Sequence, residues 1–329
     1  MNNNEITFIC ELNKDHFANP ILLELSQNCN INKTISNSSF QYFLSRFNTQ
    51  TYWVEWATNS AIFISKYKKK HQKLFIRLHR YEMYKNKFIK KIRWDNVDRV
   101  IFVNSELEKE FKTIVPNCET ITIPNAVDMN SFPLTTRNSD NSLLSYGYQF
   151  HPIKGYLNLI KIFHEIVALN DSFTLTIAGK NPEDDLYKKH LDECLELIKK
   201  FNLENHINMK KLDISINELS EHKNINNLLH SHNGIISYSL EESFHYAFAE
   251  GLSSGLQGFC NGWRRLNPKE FWGNWCYDNE ESMIKGLLDW SNINSQKRND
   301  IAVNNREYIK NNYSSQIIAN LYLNLFNQK

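Results

Sequence analysis

Short apolar runs alternate with amphipathic segments along most of this chain, and that alternation limits the folds open to it. Residues 6–10, 52–56, 74–78, 99–103 and 120–123 read as strands. Between them, residues 19–27, 59–69, 84–92 and 105–112 read as helices, the last with Ser105 as its N-cap. The second half continues with strands at 144–147, 173–179, 206–212 and 234–239, and helices at 156–168, from 247, at 305–311 and at 315–326. Strand and helix in regular alternation imply parallel sheets covered by helices, an α/β fold.

Composition sets the remaining bounds. The chain has 329 residues, enough for two domains of ordinary size. It is 41% hydrophobic and 22% charged with a net charge of +2, which is the balance of a globular protein. No apolar run reaches the length of a membrane span, and the first residues lack the pattern of a signal peptide. The six cysteines are scattered without a Cys-x-x-Cys pair, which fits reduced thiols and a cytoplasmic location better than a disulfide framework or zinc site. All ten glycines lie at position 147 or later, so a glycine loop that cradles phosphate cannot stand in the first half.

Chemistry concentrates in Glu242-Ser-Phe-His-Tyr-Ala-Phe-Ala-Glu250, which follows the apolar run 234–239. Positions eight apart lie roughly 80° apart around a helix. With Glu242 in the loop ahead of the helix, both carboxylates can face one crevice. The N–H groups of Ser243 to Tyr246 then stand where a helix start favours anions. Sugar and ribose hydroxyls suit the carboxylates, and a diphosphate suits the helix start. A solvated helix face is the alternative on spacing alone.

Three further segments fall in order: Ile123-Pro-Asn-Ala-Val-Asp128 with Phe132, then Gly147 with Lys154-Gly155, then a strand ending in Ala178-Gly179. Together with Glu242 and Glu250 they resemble the donor half of the retaining glycosyltransferases of GT-B fold, family 4, over roughly residues 100–329. The resemblance implies two Rossmann-like domains whose parallel sheets face a central cleft. The acceptor-side domain would be 1–130, with 305–329 packing back on it, and the donor domain 131–304. His79, Lys154 and Glu242 would be catalytic. Gly147, Lys154, Glu242, Ser243, Phe244, His245, Glu250 and Arg264 would bind the donor, with Glu250 on ribose and Lys154 on diphosphate.

Several positions depart from the family pattern, among them Leu256, which follows Gly255 where a Pro is usual. Tyr148 stands where an Arg is usual, and Ala126 and His245 stand where Gly is usual. Arg264, Arg265 or His245 is the candidate replacement for the missing cation. The implied activity is transfer from a nucleotide-diphosphate sugar, a UDP-sugar first among them, without a metal. The implied acceptor is a glycan or lipid-linked molecule in surface-polysaccharide synthesis at the inner face of the membrane. A non-catalytic GT-B binding module and a DNA-modifying glucosyltransferase are the competing readings.

Two clusters remain. Residues 66–93 carry twelve Lys and Arg against the single acid Glu82, with Tyr84, Phe88 and Ile92 at helical spacing. This fits contact with anionic lipid, contact with nucleic acid, or a solvated helix face. Trp263, Phe271, Trp272 and Trp275 follow the Glu pair, either as sugar-binding faces or as core.

Overall fold

The computed structural model describes residues 5–328 apart from positions 46, 48, 86, 181 and 213–219. The chain divides into two compact units. One runs to Asp128 and takes up the chain again from Asn312; the other is Met129–Asn311.

The first unit holds six strands: β1 (Glu5–Cys10), β2 (Asn30–Ile35), β3 (Thr51–Glu55), β4 (Lys73–Leu78), β5 (Arg99–Phe102) and β6 (Thr120–Thr122). They form one sheet in the order β2-β1-β3-β4-β5-β6, parallel throughout. The second unit holds β7 (Ser142–Gln149), β8 (Thr174–Lys180), β9 (Ile207–Leu212), β10 (Gly234–Ser237) and β11 (Gln257–Cys260). Its order is β11-β10-β7-β8-β9, again parallel. Each parallel connection requires a crossover, so helices cover the sheets and central strands such as β1, β3, β4 and β10 are buried on both faces. This is the α/β arrangement expected from the alternation.

Each unit buries its own core. In the first, Phe8, Trp53 and Phe75 meet Tyr322 and Phe326 of the helix Ser315–Asn327. Trp53 and Tyr322 have ring centroids 4.6 Å apart. In the second, Phe150, Tyr156, Phe163 and Phe173 pack with Ile236, Phe259 and Trp290.

Several expectations are corrected. The chain returns to the first unit at 312 rather than 305, because Ser295–Tyr313 is one continuous helix. No single helix spans 84–92. A helix ends at Lys85, a short 3-10 turn covers Ile89–Lys91, and Ile89 and Ile92 are buried. The helix Ser105–Ile114 is capped by Asn104, whose side chain accepts from the Glu106 N–H at 2.8 Å. Asparagine there has the extended backbone a cap requires, so Ser105 is the first helical residue.

Candidate functional site

In the second unit the strand order decides the chemistry. β10 lies beside β7, so the loops after their carboxyl ends are neighbours. Lys154 ends the 3-10 turn Pro152–Lys154 that follows β7; the His151 side chain caps that turn by accepting from the Ile153 N–H at 3.0 Å. Glu242 follows β10. The Leu240 N–H donates to the Ile153 carbonyl at 2.8 Å, which ties the two loops together.

Glycine is required beside this junction. Gly155 has φ +68°, and a Cβ there would stand 2.0 Å from the Tyr238 carbonyl oxygen. A Cβ on Gly147 would press on the Lys154 Cε at 3.2 Å and on the Tyr156 hydroxyl at 3.1 Å. Gly147 thus leaves room for the Lys154 side chain, and Gly155 lets the turn pass the Tyr238 carbonyl.

Lys154 Nζ lies 2.6 Å from Glu242 Oε1, the two side chains being 23% and 15% exposed. The Ser239 hydroxyl donates to the same carboxylate oxygen at 2.9 Å. Burial pushes the Glu242 carboxyl up, but the Lys154 ammonium and the bond from Ser239 outweigh it and hold it at about 2. Glu242 is thus ionised at neutral pH.

His245 caps the helix Tyr246–Ser253 with φ +70°, a left-handed conformation that favours glycine. That explains why its slot suits Gly in the family pattern. Its Nε2 is 2.5 Å from the Ser237 hydroxyl. Burial lowers the imidazole to about 4, so His245 is neutral near pH 7. Without a bound anion beside it, His245 therefore adds no positive charge next to Lys154. Ser243 and Phe244 precede the helix. Phe244 is buried against Phe271 and Trp272, with centroids 5.3 and 5.2 Å away. Of the aromatic cluster after the Glu pair, Trp263, Phe271 and Trp272 are buried as core, while Trp275 is half-buried.

Glu250 sits one helix turn further along, where its carboxylate accepts a hydrogen bond from the Tyr146 hydroxyl on β7. Burial lifts Glu250 to about 7, against the pull of Tyr146. Arg264 donates its backbone N–H to the Leu240 carbonyl at 2.8 Å and leaves its guanidinium exposed. Arg265 pairs with Glu241 at 3.9 Å. The side chain of Tyr148 is outside the described residues.

In the first unit, His79 follows the carboxyl end of β4, where ligands of such sheets are bound. It is buried, and its Nε2 lies 2.8 Å from Glu55 Oε1 at the end of β3. The same oxygen accepts from Arg77 at 3.2 Å, and both Glu55 and Arg77 are 0% exposed. Arg77 also donates to Asn125 Oδ1, so the turn at 123–128 is bound into the cluster. Trp56 stacks on the His79 ring at 3.8 Å. Burial opposes ionisation of Glu55, but Arg77 and His79 hold its carboxyl below the ordinary range. Burial also lowers the His79 imidazole. Glu82 accepts the His79 N–H at 2.9 Å, and burial lifts its carboxyl to about 8.

The structure brings Lys154, Glu242, Gly147 and His245 together, with Glu250 nearby through Tyr146 on the same strand as Gly147. Sequence reasoning missed Ser239, Tyr146 and Glu55. Glu55 carried a signal: a carboxylate inside an apolar strand is rare unless paired. Among the described residues, no group of three or more His, Cys, Asp and Glu is placed to hold a metal ion.

No protein-family model and no curated protein matches the chain. Among solved structures it is similar to a glycosyltransferase from Rickettsia africae ESF-5, at 14% identity over 99% of this chain and 98% of that one, TM-score 0.70. It is similar to Anabaena Alr3699/HepE, solved in complex with UDP and glucose, at 12% identity over 98% and 99%, TM-score 0.70. It is similar to TarM at 16% identity over 88% of this chain, TM-score 0.68, and spans only 57% of the TarM chain. These likenesses define the class by fold: a two-domain α/β protein of GT-B architecture.

Proposed function

We propose that the second unit binds a nucleotide-diphosphate sugar and that the protein is a retaining glycosyltransferase of family 4. Lys154 would neutralise charge on the leaving diphosphate as the anomeric C–O bond breaks. Glu242, held by Lys154 and Ser239, would accept from donor-sugar hydroxyls, and Glu250 from the ribose. Backbone N–H groups of Ser243 and Phe244 would support the phosphates. His79 would contact the sugar. The new C–O bond forms to an acceptor hydroxyl on the same face, and the acceptor proton leaves with the diphosphate. The proposed acceptor is a glycan or a lipid-linked molecule of surface-polysaccharide synthesis.

The observation that carries this reading is the charged Lys154–Glu242 pair at the carboxyl edge of a parallel sheet, with glycine at 147 and 155 around it. Two of the similar solved structures support it by analogy. HepE is described with UDP and glucose, which favours a UDP-sugar donor. A trehalose-6-phosphate synthase of TM-score 0.74 and 7% identity is described in terms of glycosyl transfer with retention.

The test is proton NMR of the purified chain with UDP-, GDP- and ADP-sugars, with and without glycan acceptors. Consumption of one donor with retained anomeric configuration supports the reading. Inversion removes family 4. Binding of a nucleoside diphosphate with no donor consumed favours the second reading, a non-catalytic binding module, to which Tyr148 in the Arg slot points.

A further inference from the structure

Phe40, Phe43, Leu44 and Phe47 recur at the i, i+3, i+4, i+7 spacing of one helical face. Such a stripe ordinarily turns inward. Here its members are 66%, 38%, 51% and 58% exposed, around and just after the helix Ser39–Ser45. The inward residue is Tyr42, buried with its ring 6.1 Å from Phe63. The rings of Phe43 and Phe47 meet edge to face at 5.6 Å, so the outward aromatics form one patch.

Cations border this patch. Lys69 Nζ stands 5.5 Å over the Phe47 ring. Lys66 Nζ stands 5.0 Å over Tyr67, a ring that is itself 42% exposed. Lys66, Lys70 and His71 are exposed. Neither 36–50 nor 66–71 contains an Asp or Glu. An exposed aromatic stripe of this size, rimmed by one sign of charge, marks an interaction surface.

We propose that this face docks the first unit on an anionic lipid bilayer. Phe40, Phe43, Leu44 and Phe47 enter the interface, and Lys66, Lys69 and Lys70 meet lipid phosphates. Apolar side chains with flanking Lys are the combination that holds a peripheral helix at such a surface. The contact lies at 40–71. In the segment around 84–92, Ile89 and Ile92 are buried and Tyr84 and Phe88 half-buried, so the exposed apolar side chains are those at 40–47. The proposal does not depend on the chemistry of the second unit.

The experiment is co-sedimentation of the full chain with phosphatidylcholine vesicles, with and without phosphatidylglycerol, at rising salt. Wild type should pellet with the anionic vesicles and be released by salt. Lys66→Gln/Lys69→Gln/Lys70→Gln should partition about a hundredfold more weakly. Phe43→Ser/Phe47→Ser should also lose binding while its circular dichroism stays that of wild type. No pelleting, equal pelleting with neutral vesicles, or full binding by the aromatic variant overturns the proposal. So does a wild-type dimer that ignores vesicles and that the aromatic variant dissociates, since the face would then be a protein interface.

Discussion

Lys154 Nζ and Glu242 Oε1 meet at 2.6 Å across 88 positions of sequence. Neither residue selects the other locally. The contact exists because β10 lies beside β7, Gly155 lets the chain pass the Tyr238 carbonyl, and the Leu240 N–H grips Ile153. Under the proposed function, this ion pair would offer a diphosphate its cation and a sugar its hydrogen-bond acceptor.

Lys154→Ala should cut transfer by about two orders of magnitude, the scale for removing one preorganised charge-stabilising group. The Glu242 carboxyl should rise from about 2, having lost its largest opposing partner. The stability contributed by that depressed carboxyl is present above its ordinary value of 4.5 and is lost as pH falls through about 2. Thermal melts of wild type and Lys154→Ala should therefore differ most near neutral pH. Donor consumption at the wild-type rate in a folded variant would remove Lys154 from the site.

If Glu250 accepts from ribose hydroxyls, nucleotide binding should depend on pH. Its carboxyl is raised to about 7 from 4.5, so between these values the folded protein holds a proton that the unfolded chain lacks, and stability falls as pH rises. Ribose hydroxyls need the ionised form. Affinity for a nucleoside diphosphate should tighten as pH passes 7, and Glu250→Gln should flatten that dependence. At higher pH the substitution should cost about 1.5–3 kcal/mol of binding. Calorimetric titration on both sides of pH 7 checks this, and parallel pH profiles for the two proteins would contradict it.

Gly155→Ala should destabilise by at least ~1–2 kcal/mol from its left-handed backbone alone, before the clash with Tyr238. Gly262, with open space around its Cβ position and no left-handed backbone, is the control. Chemical denaturation should find Gly262→Ala near wild type and Gly155→Ala well below it. Equal midpoints would show that the 152–155 turn rearranges freely.

Removing Arg77 should cost about 3–5 kcal/mol, because the fully buried Glu55 would keep only the His79 imidazole beside its carboxyl. Glu55→Gln/Arg77→Met should recover part of that loss. A urea-unfolding cycle of the two single variants and the double measures the coupling, and additive losses would mean that the pair is not coupled.

The parallel α/β plan was legible because buried strands are written as continuous apolar runs. β2, with sequence Asn-Ile-Asn-Lys-Thr-Ile, was not: as an edge strand it needs few apolar residues. The spacing of Tyr84, Phe88 and Ile92 misled because it runs from the end of one helix, Arg80–Lys85, across a separate 3-10 turn, Ile89–Lys91. Lys154 and Glu242 were legible through the ordered motifs they belong to. Ser239 and Tyr146 were not, since they matter only through contacts that strand order creates. The family slot for glycine at 245 was legible, but the neutrality of the histidine in it follows from burial, which no local spacing encodes.

Isothermal titration of the full chain with UDP, GDP and ADP tests the central claim most directly, because it asks whether the Lys154–Glu242 site takes a nucleoside diphosphate at all. The account predicts saturable one-to-one binding of at least one of the three, weakened about tenfold or more by Lys154→Ala, in line with the loss of a hydrogen bond to a charged group. No binding of any of them, or an affinity that Lys154→Ala leaves unchanged in a folded protein, would contradict it.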